Sequence, residues 1–169
     1  MVIRPLGPNH CITALTQLLH RAYAPLAARG MRYLASYQDE AMTRSRANEG
    51  ECYVGLEGDA IIATVTLVPP GVPDAESCTY YAQPGVARFG QFAVDPRHQG
   101  CGIGSLLMDH IEARAAALGA TFLALDTSEH AHELIAMYTK RGYTEVQRVD
   151  WDVTNYQSIV MSKPLAGAG

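Results

Sequence analysis

The sequence contains no apolar run long enough to cross a membrane: its longest uncharged apolar stretch, residues 60–70, is about half of the ~20 residues that a spanning helix needs. That stretch has the length and β-branched content of a buried strand. Residues 1–5 lack the apolar core of a secretory signal, so a cytoplasmic location is expected. There is no Cys-x-x-Cys pair. Cys11, Cys52, Cys78 and Cys101 are widely spaced, which points to reduced thiols rather than a disulfide frame or a zinc site. Positive charge is scarce as well, with thirteen Lys and Arg against seventeen Asp and Glu for a net charge of -4. Non-specific nucleic-acid binding relies on clustered positive charge, and this balance argues against it. No internal repeat occurs, and no Gly-Lys-Ser/Thr sequence follows a glycine-rich turn, which argues against a nucleoside-triphosphate P-loop.

What is present is an ordinary globular composition, 48% hydrophobic and 18% charged over 169 residues. A chain of this length makes one domain that buries roughly two-thirds of its unfolded surface. Residues 1–163 are assigned to that domain and residues 164–169 to a frayed tail. Strands are expected near residues 2–6, 52–56, 61–68, 89–94, 121–127, 143–151 and 156–161. Residues 57–60 supply a hairpin turn between the second and third. Asn9 is a candidate cap for a first helix bearing Ile12, Leu15, Leu18, Leu19 and Ala22 on one face, ended or bent by Pro25. A weakly patterned helix is expected over about 35–48. A third carries Ile103, Leu106, Leu107, Ile111, Ala115 and Leu118 on one side and stops at Gly119, and a fourth, from about Ser128, stops at Gly142. Residues 69–84 hold four of the nine prolines and read as a long loop able to overhang a site. Gly90 is a candidate bulge within its strand.

The chemistry centres on Gln99, Gly100, Cys101, Gly102, Ile103, Gly104 and Ser105, between a strand and a helix. Three glycines in five residues let the backbone curl with its N–H groups exposed, and the helix N-terminus adds unpaired amides and a positive dipole end. Such a turn suits phosphate. Gly100-x-Gly102 also begins a dinucleotide fingerprint, with Asp126 about twenty residues further on at a strand end. Two details weaken that alternative: Ser105 stands where the third glycine belongs, and residues 95–99 separate the strand from the first glycine.

The pattern Gln99-x-x-Gly102-x-Gly104, after Phe92-Ala93-Val94-Asp95-Pro96, closely resembles the acyl-coenzyme A signature of the GNAT superfamily of N-acetyltransferases. Met137-Tyr138-x-Lys140-x-Gly142-Tyr143 resembles the family's second motif. The resemblance implies an α/β fold in a single domain, with a mixed central sheet of about seven strands and flanking helices. It implies acetyl-CoA as cosubstrate and no metal. Backbone groups of Phe92, Ala93 and Val94 would meet the pantetheine arm, and the amides of residues 99–105 the pyrophosphate. Tyr138 would act as general acid on the leaving thiolate or position it by its hydroxyl, with core packing as the alternative, and Asp126 is a candidate base or else a cap on the following helix. Where other relatives carry a glutamate base this chain has Gln91, which cannot titrate, so a water-relayed base stays open. Where relatives often carry Asn early in the second-motif helix it has Ala131.

His130 and His132 do not share a helical face and have no evident third ligand. Candidate walls of the acceptor pocket are Tyr33, Tyr37, residues 69–84, Asp150, Trp151, Asp152 and Tyr156. The expected activity is acetyl transfer to the primary amine of a small molecule, or of a protein or peptide N-terminus, by direct attack in a ternary complex. A non-catalytic acyl-CoA-binding or sensing protein is the alternative. No membrane partner is expected, and a homodimer through the last strands is possible.

Overall fold

The computed structural model describes residues 1–73 and 78–166. Seven strands form one mixed sheet: β1 (Val2–Pro5), β2 (Glu51–Glu57), β3 (Ala60–Val68), β4 (Val86–Val94), β5 (Phe122–Ser128), β6 (Thr144–Asp150) and β7 (Gln157–Pro164). They lie in the order β1-β2-β3-β4-β5-β7-β6, antiparallel throughout except between β4 and β5. A parallel pair cannot be joined by a hairpin, and the helix α3 (Ile103–Ala117) makes the crossover. The seven-stranded α/β architecture expected from the sequence is the one found.

Helices cover both faces. On one side, α3 and α4 (His132–Lys140) pack Leu107, Ile111 and Tyr138 onto Val65, Leu67, Phe89 and Leu123. On the other, α1 (Ile12–Ala28) sets Leu15, Leu18 and Leu19 against Cys52, Val54 and Ala93, flanked by α2 (Glu40–Ala47). Each fully buried leucine contributes about 1.5–3 kcal/mol, so this double-sided core fixes the sheet in which the central strands β3 and β4 sit. Among the described residues, no helix is long and apolar enough to cross a membrane.

Several local expectations are corrected. The first helix is capped at Cys11 rather than Asn9, and it runs through Pro25 to Ala28. Proline at that point removes one amide close to the C-terminal end, where the apolar face already anchors the helix. The second helix starts at Glu40, after a single 3-10 turn at Leu34–Ser36, because the Asp39 carboxylate accepts from the Met42 amide at 2.8 Å and sets the N-terminus there. The fourth starts at His132 rather than near Ser128, which still belongs to β5 and pairs with Ser158. The bulge of β4 falls at Gln91, one residue past Gly90. Of the long loop, residues 74–77 lie outside the described residues, as do residues 167–169 of the tail. β7 ends at Pro164, and the Leu165 amide donates to the Thr121 carbonyl at 2.9 Å.

Asp95 fixes the exit from β4. Its carboxylate, 1% exposed, accepts from Arg97 N at 3.0 Å, Arg97 Nε at 3.1 Å, and Arg97 Nη2 and Arg21 Nη2 at 3.0 Å each. The Arg97 guanidinium, helped by Arg21, holds this carboxyl well below the usual range. A depressed carboxyl stabilises the fold above its unfolded value near ~3.9, and the contribution is lost as pH falls further. Because the arginines are 44% and 76% exposed, much of the gain is screened. Asp95→Asn is therefore expected to cost about 1–2 kcal/mol, or about 3–6 °C in Tm at pH 7. The gap to wild type should narrow as pH falls below about 4 in a thermal denaturation series, and a gap constant down to about pH 2 would contradict the assignment.

Candidate active site

β4 and β5 pair only through Val86↔Phe122, Ala87↔Leu123 and Arg88↔Ala124. Beyond these the strands part, while β5 stays paired with β7 as far as Ser128↔Ser158. The cause lies on the other side of β4. There β3 advances two residues, from Thr64 to Thr66, while β4 spends three, from Ala93 to Gly90, and the extra residue puts Gln91 at φ +49. A bulge of this kind bends its strand. The strain at Gln91 is held by a buried amide network: Gln38 Nε2 donates to Gln91 Oε1 at 2.6 Å and to Thr43 Oγ1 at 2.8 Å, and Gln91 Nε2 lies 3.4 Å from Thr66 Oγ1. Gln91, where a base would stand in relatives, is thus a buried structural amide.

The open end of this wedge meets the glycine turn. Gly100 and Gly102 adopt left-handed conformations, φ +79 and +81, and a side chain at either would enter open space, with no atom within 4 Å. Gly102 is the N-cap of α3 and brings no side-chain cap, and among the described residues the amides of residues 100–105 make no hydrogen bond. Six successive unpaired N–H groups around an open concavity fit a pyrophosphate. Gly104 serves differently: a Cβ there would meet the Phe92 ring at 3.4 Å and Val94 at 3.8 Å, so its absence lets α3 settle on β4.

Of the other residues expected here, Ile103 is buried beneath the helix, while Cys101 and Ser105 are exposed. Gln99 donates Nε2 to the Val94 carbonyl at 3.2 Å. Ala93 pairs with Thr64 of β3, and the Phe92 carbonyl already accepts the Tyr23 hydroxyl at 2.8 Å. The stretch of residues 92–94 therefore offers a pantetheine arm fewer open backbone groups than the resemblance implies.

Tyr138 is 5% exposed, its ring against Phe89 and Tyr143 at centroid distances of 6.2 and 5.9 Å. Its hydroxyl makes no hydrogen bond among the described residues, yet it is not among the sealed unpaired atoms and so reaches accessible space. Burial, followed by the proximity of Tyr23, Tyr33 and Asp126, pushes it well above the ordinary tyrosine value. Asp126 stands on β5 across the wedge, its two oxygens accepting from the Tyr81 hydroxyl at 2.7 Å and the Trp151 indole at 3.1 Å. Tyr81 comes from the described end of the long loop, so that loop does reach the site.

Tyr33 packs at a tilt between Tyr23 and Tyr156, with centroids 5.1 and 5.0 Å away, and its hydroxyl bonds Thr127 Oγ1 at 2.9 Å and receives the Ser128 amide at 3.1 Å. Asp150, Trp151 and Tyr156 line a polar depression of about 510 Å³. Tyr37 is spent on the Val153 carbonyl at 2.7 Å, and Asp152 is exposed outside the depression. His130 is exposed beside Glu129, and Ala131 is the fully buried N-cap of α4.

Three residues of this region escape the sequence. Tyr23 carries a usable signal, since Leu15, Leu19 and Tyr23 recur at four-residue spacing. Gln38 and Arg46 carry none, and Tyr81 is reached only as part of the loop 69–84.

Comparison with known proteins fits this geometry. Residues 12–143 match the model of the Acetyltransferase (GNAT) family. The S-(2-succino)cysteine N-acetyltransferase of Bacillus subtilis (strain 168) is 34% identical over 134 residues, 76% of each chain. The ribosomal-protein-S18-alanine N-acetyltransferase of Escherichia coli shares the fold at a TM-score of 0.72 and 18% identity, over 99% of this chain and 96% of the other. A GNAT family acetyltransferase of Elizabethkingia anophelis, solved with acetyl-CoA bound, does so at 0.67 and 17%, over 97% of each. The chain belongs to the GNAT family, and it is an acetyl-CoA-dependent enzyme that transfers the acetyl group to amines.

Proposed function

We propose that this enzyme acetylates the α-amine of a small amino-acid derivative by direct attack in a ternary complex. The observation that carries the reading is the wedge between β4 and β5, with the amide cradle at one end and Tyr138 and Asp126 on either side of its opening. The cradle holds the donor's pyrophosphate and the wedge its pantetheine arm. The acceptor nitrogen approaches past Asp126, which takes its proton directly or through one water. As the carbon–sulfur bond breaks, the Tyr138 hydroxyl protonates the leaving sulfur.

The amine class follows from what the base has to do. Neutralising a lysine-type amine at pH 7 costs roughly 4–5 kcal/mol, against about 1 kcal/mol for an α-amine. Gln91 cannot titrate and Asp126 is tied to two donors, a modest apparatus that suits the lower cost. The Bacillus subtilis relative, named for a cysteine derivative, supports the same class.

Direct transfer is favoured over an acyl-enzyme. Cys52 is buried beside Thr64, with its thiol pushed up by burial. Cys78 is buried near Gln147, and exposed Cys101 lies 3.9 Å from the Gln99 carbonyl. Among the described residues, no basic side chain bonds Cys52 or Cys101.

Thiol release from acetyl-CoA, measured across S-substituted cysteines, other amino acids, peptides with free N-termini and α-blocked lysine, tests the reading. Turnover with S-substituted cysteines at least tenfold above blocked lysine is expected. Preference for the lysine side chain would overturn it.

A further inference from the structure

Arg46 is a partly buried arginine that forms no ion pair among the described residues. Of the arginines that are not fully exposed, Arg141 pairs with Asp109 and Glu112, and Arg88 gives its guanidinium to the carbonyls of Val72 and Pro73. Arg46, partly buried near the end of α2, donates Nη1 to the neutral Gln38 Oε1 at 2.7 Å, and no carboxylate lies within 4 Å of it among the described residues. A guanidinium carries five donors in a fixed fork, and taking it out of water against a single amide is costly unless something else completes the set. Its Nη2 makes no bond among the described residues and is not sealed from solvent.

The position of this group matters as much as its charge. Nη2 lies 3.4 Å from where a Cβ of Gly90 would be, and Gly90 is in the stretch of β4 that has just lost its pairing with β5. The glycine leaves nothing between the guanidinium and the strand. Phe89 and Phe92 turn toward α3 and α4, whereas Arg46 and Gln38 reach the wedge from the α1 and α2 side. Tyr23, Glu49, Asp126 and Tyr156 are all close enough to feel its charge, and none of them forms an ion pair with it. Asp126 thus supplies a negative group and Arg46 a positive one at the same opening, without forming an ion pair with each other.

We infer that Arg46, oriented by Gln38, is the carboxylate anchor of the acceptor site, so that the acceptor is a zwitterionic α-amino acid whose carboxylate meets the guanidinium fork while its amine faces Asp126. This rests on the acetyl-transfer reading above and names the chemistry that selects its acceptor. A bidentate carboxylate completes the donor set of Arg46 and turns the acceptor amine toward the thioester. The Gln38–Gln91 bond links the anchor to the bulge that opens the wedge. Arg46 and the bend in β4 are therefore positioned together.

Two measurements test it. With an S-substituted cysteine and its carboxamide as acceptors, wild type should favour the acid at least 100-fold in kcat/KM. Arg46→Gln should reduce that preference to about threefold or less, chiefly by raising KM for the acid, with a much smaller loss on the carboxamide. Arg46→Lys, which keeps the charge and loses the fork, should fall between. Equal losses on both acceptors would overturn the anchor in favour of a structural or rate-enhancing role.

The second measurement needs no turnover. An NMR titration of the coenzyme A complex with succinate should show binding at least tenfold tighter in wild type than in Arg46→Gln, and no comparable binding of succinamide. Equal succinate affinity in the two proteins would overturn the proposal. A clear difference without any amine turnover would retain the anchor and overturn the transfer reading alone.

Discussion

Gly102→Val is expected to weaken coenzyme A binding at least 100-fold while leaving the protein folded. Two effects act at this position. Gly102 holds φ +81 at the N-cap of α3, a conformation that costs a β-branched residue roughly 1–2 kcal/mol and re-aims the amides that follow. Its missing side chain also opens onto empty space, with no atom within 4 Å, which is the space a pyrophosphate would take in the proposed cradle. Gly119→Val is the matched control. It stands just past the other end of the same helix at φ +87, again with nothing within 4 Å, and so meets the same backbone strain away from the cradle. Calorimetric titration of both variants separates the effects: a similar loss of Tm in each, with affinity lost only in Gly102→Val. Full affinity in Gly102→Val would remove the cradle assignment. Gly104→Val is a poorer test, because its side chain would press on Phe92 and Val94 rather than into the phosphate space.

Features with a local physical cause are the ones the sequence makes legible. The glycine cradle, the stops at Gly119 and Gly142 and the two-residue hairpin turn Gly58-Asp59 all rest on backbone conformations that glycine alone adopts cheaply. The apolar face of α3 likewise points to the sheet by its spacing. Tyr138 lies where the second motif leads one to look. What stays hidden depends on partners far along the chain. α2 buries only Thr43 and Ala47, so no apolar stripe marks its inner face, and Arg46 looks like any solvated arginine until Gln38 and Gly90 are brought beside it. The Tyr23 bond to Phe92 spans 69 positions and that from Tyr81 to Asp126 spans 45. Hydrogen bonds at such separations leave no periodic trace, and they tie α1 and the long loop to the two strands of the wedge.

Tyr138→Phe is expected to lower kcat by roughly 10–100-fold, with little change in acetyl-CoA affinity. Only an oxygen is removed. The ring keeps its contacts with Phe89 and Tyr143, so Tm at pH 7 should hardly move, and a phenol with no hydrogen-bond partner among the described residues leaves none of them unpaired. The loss falls on the step in which the sulfur departs. A thiolate of ordinary basicity leaves without an acid, but more slowly, which sets the lower end of the range. The pH dependence sharpens the test. Burial pushes the Tyr138 hydroxyl well above its ordinary value, so it remains protonated to at least about pH 10. In wild type, kcat/KM should rise as an acceptor α-amine loses its proton near pH 7.7–8.0 and show no alkaline fall before about pH 10. The Phe variant should keep the same rising limb at a lower level. Protonated in both states, a tyrosine raised by burial leaves stability unchanged up to about pH 10, and stability then falls as the unfolded chain alone loses the proton. Wild type should therefore lose Tm above pH 10 more steeply than Tyr138→Phe. A variant with full turnover across this range would make Tyr138 a core aromatic and leave protonation of the sulfur to water, whereas parallel loss of kcat and acetyl-CoA affinity would make its hydroxyl a donor-positioning group.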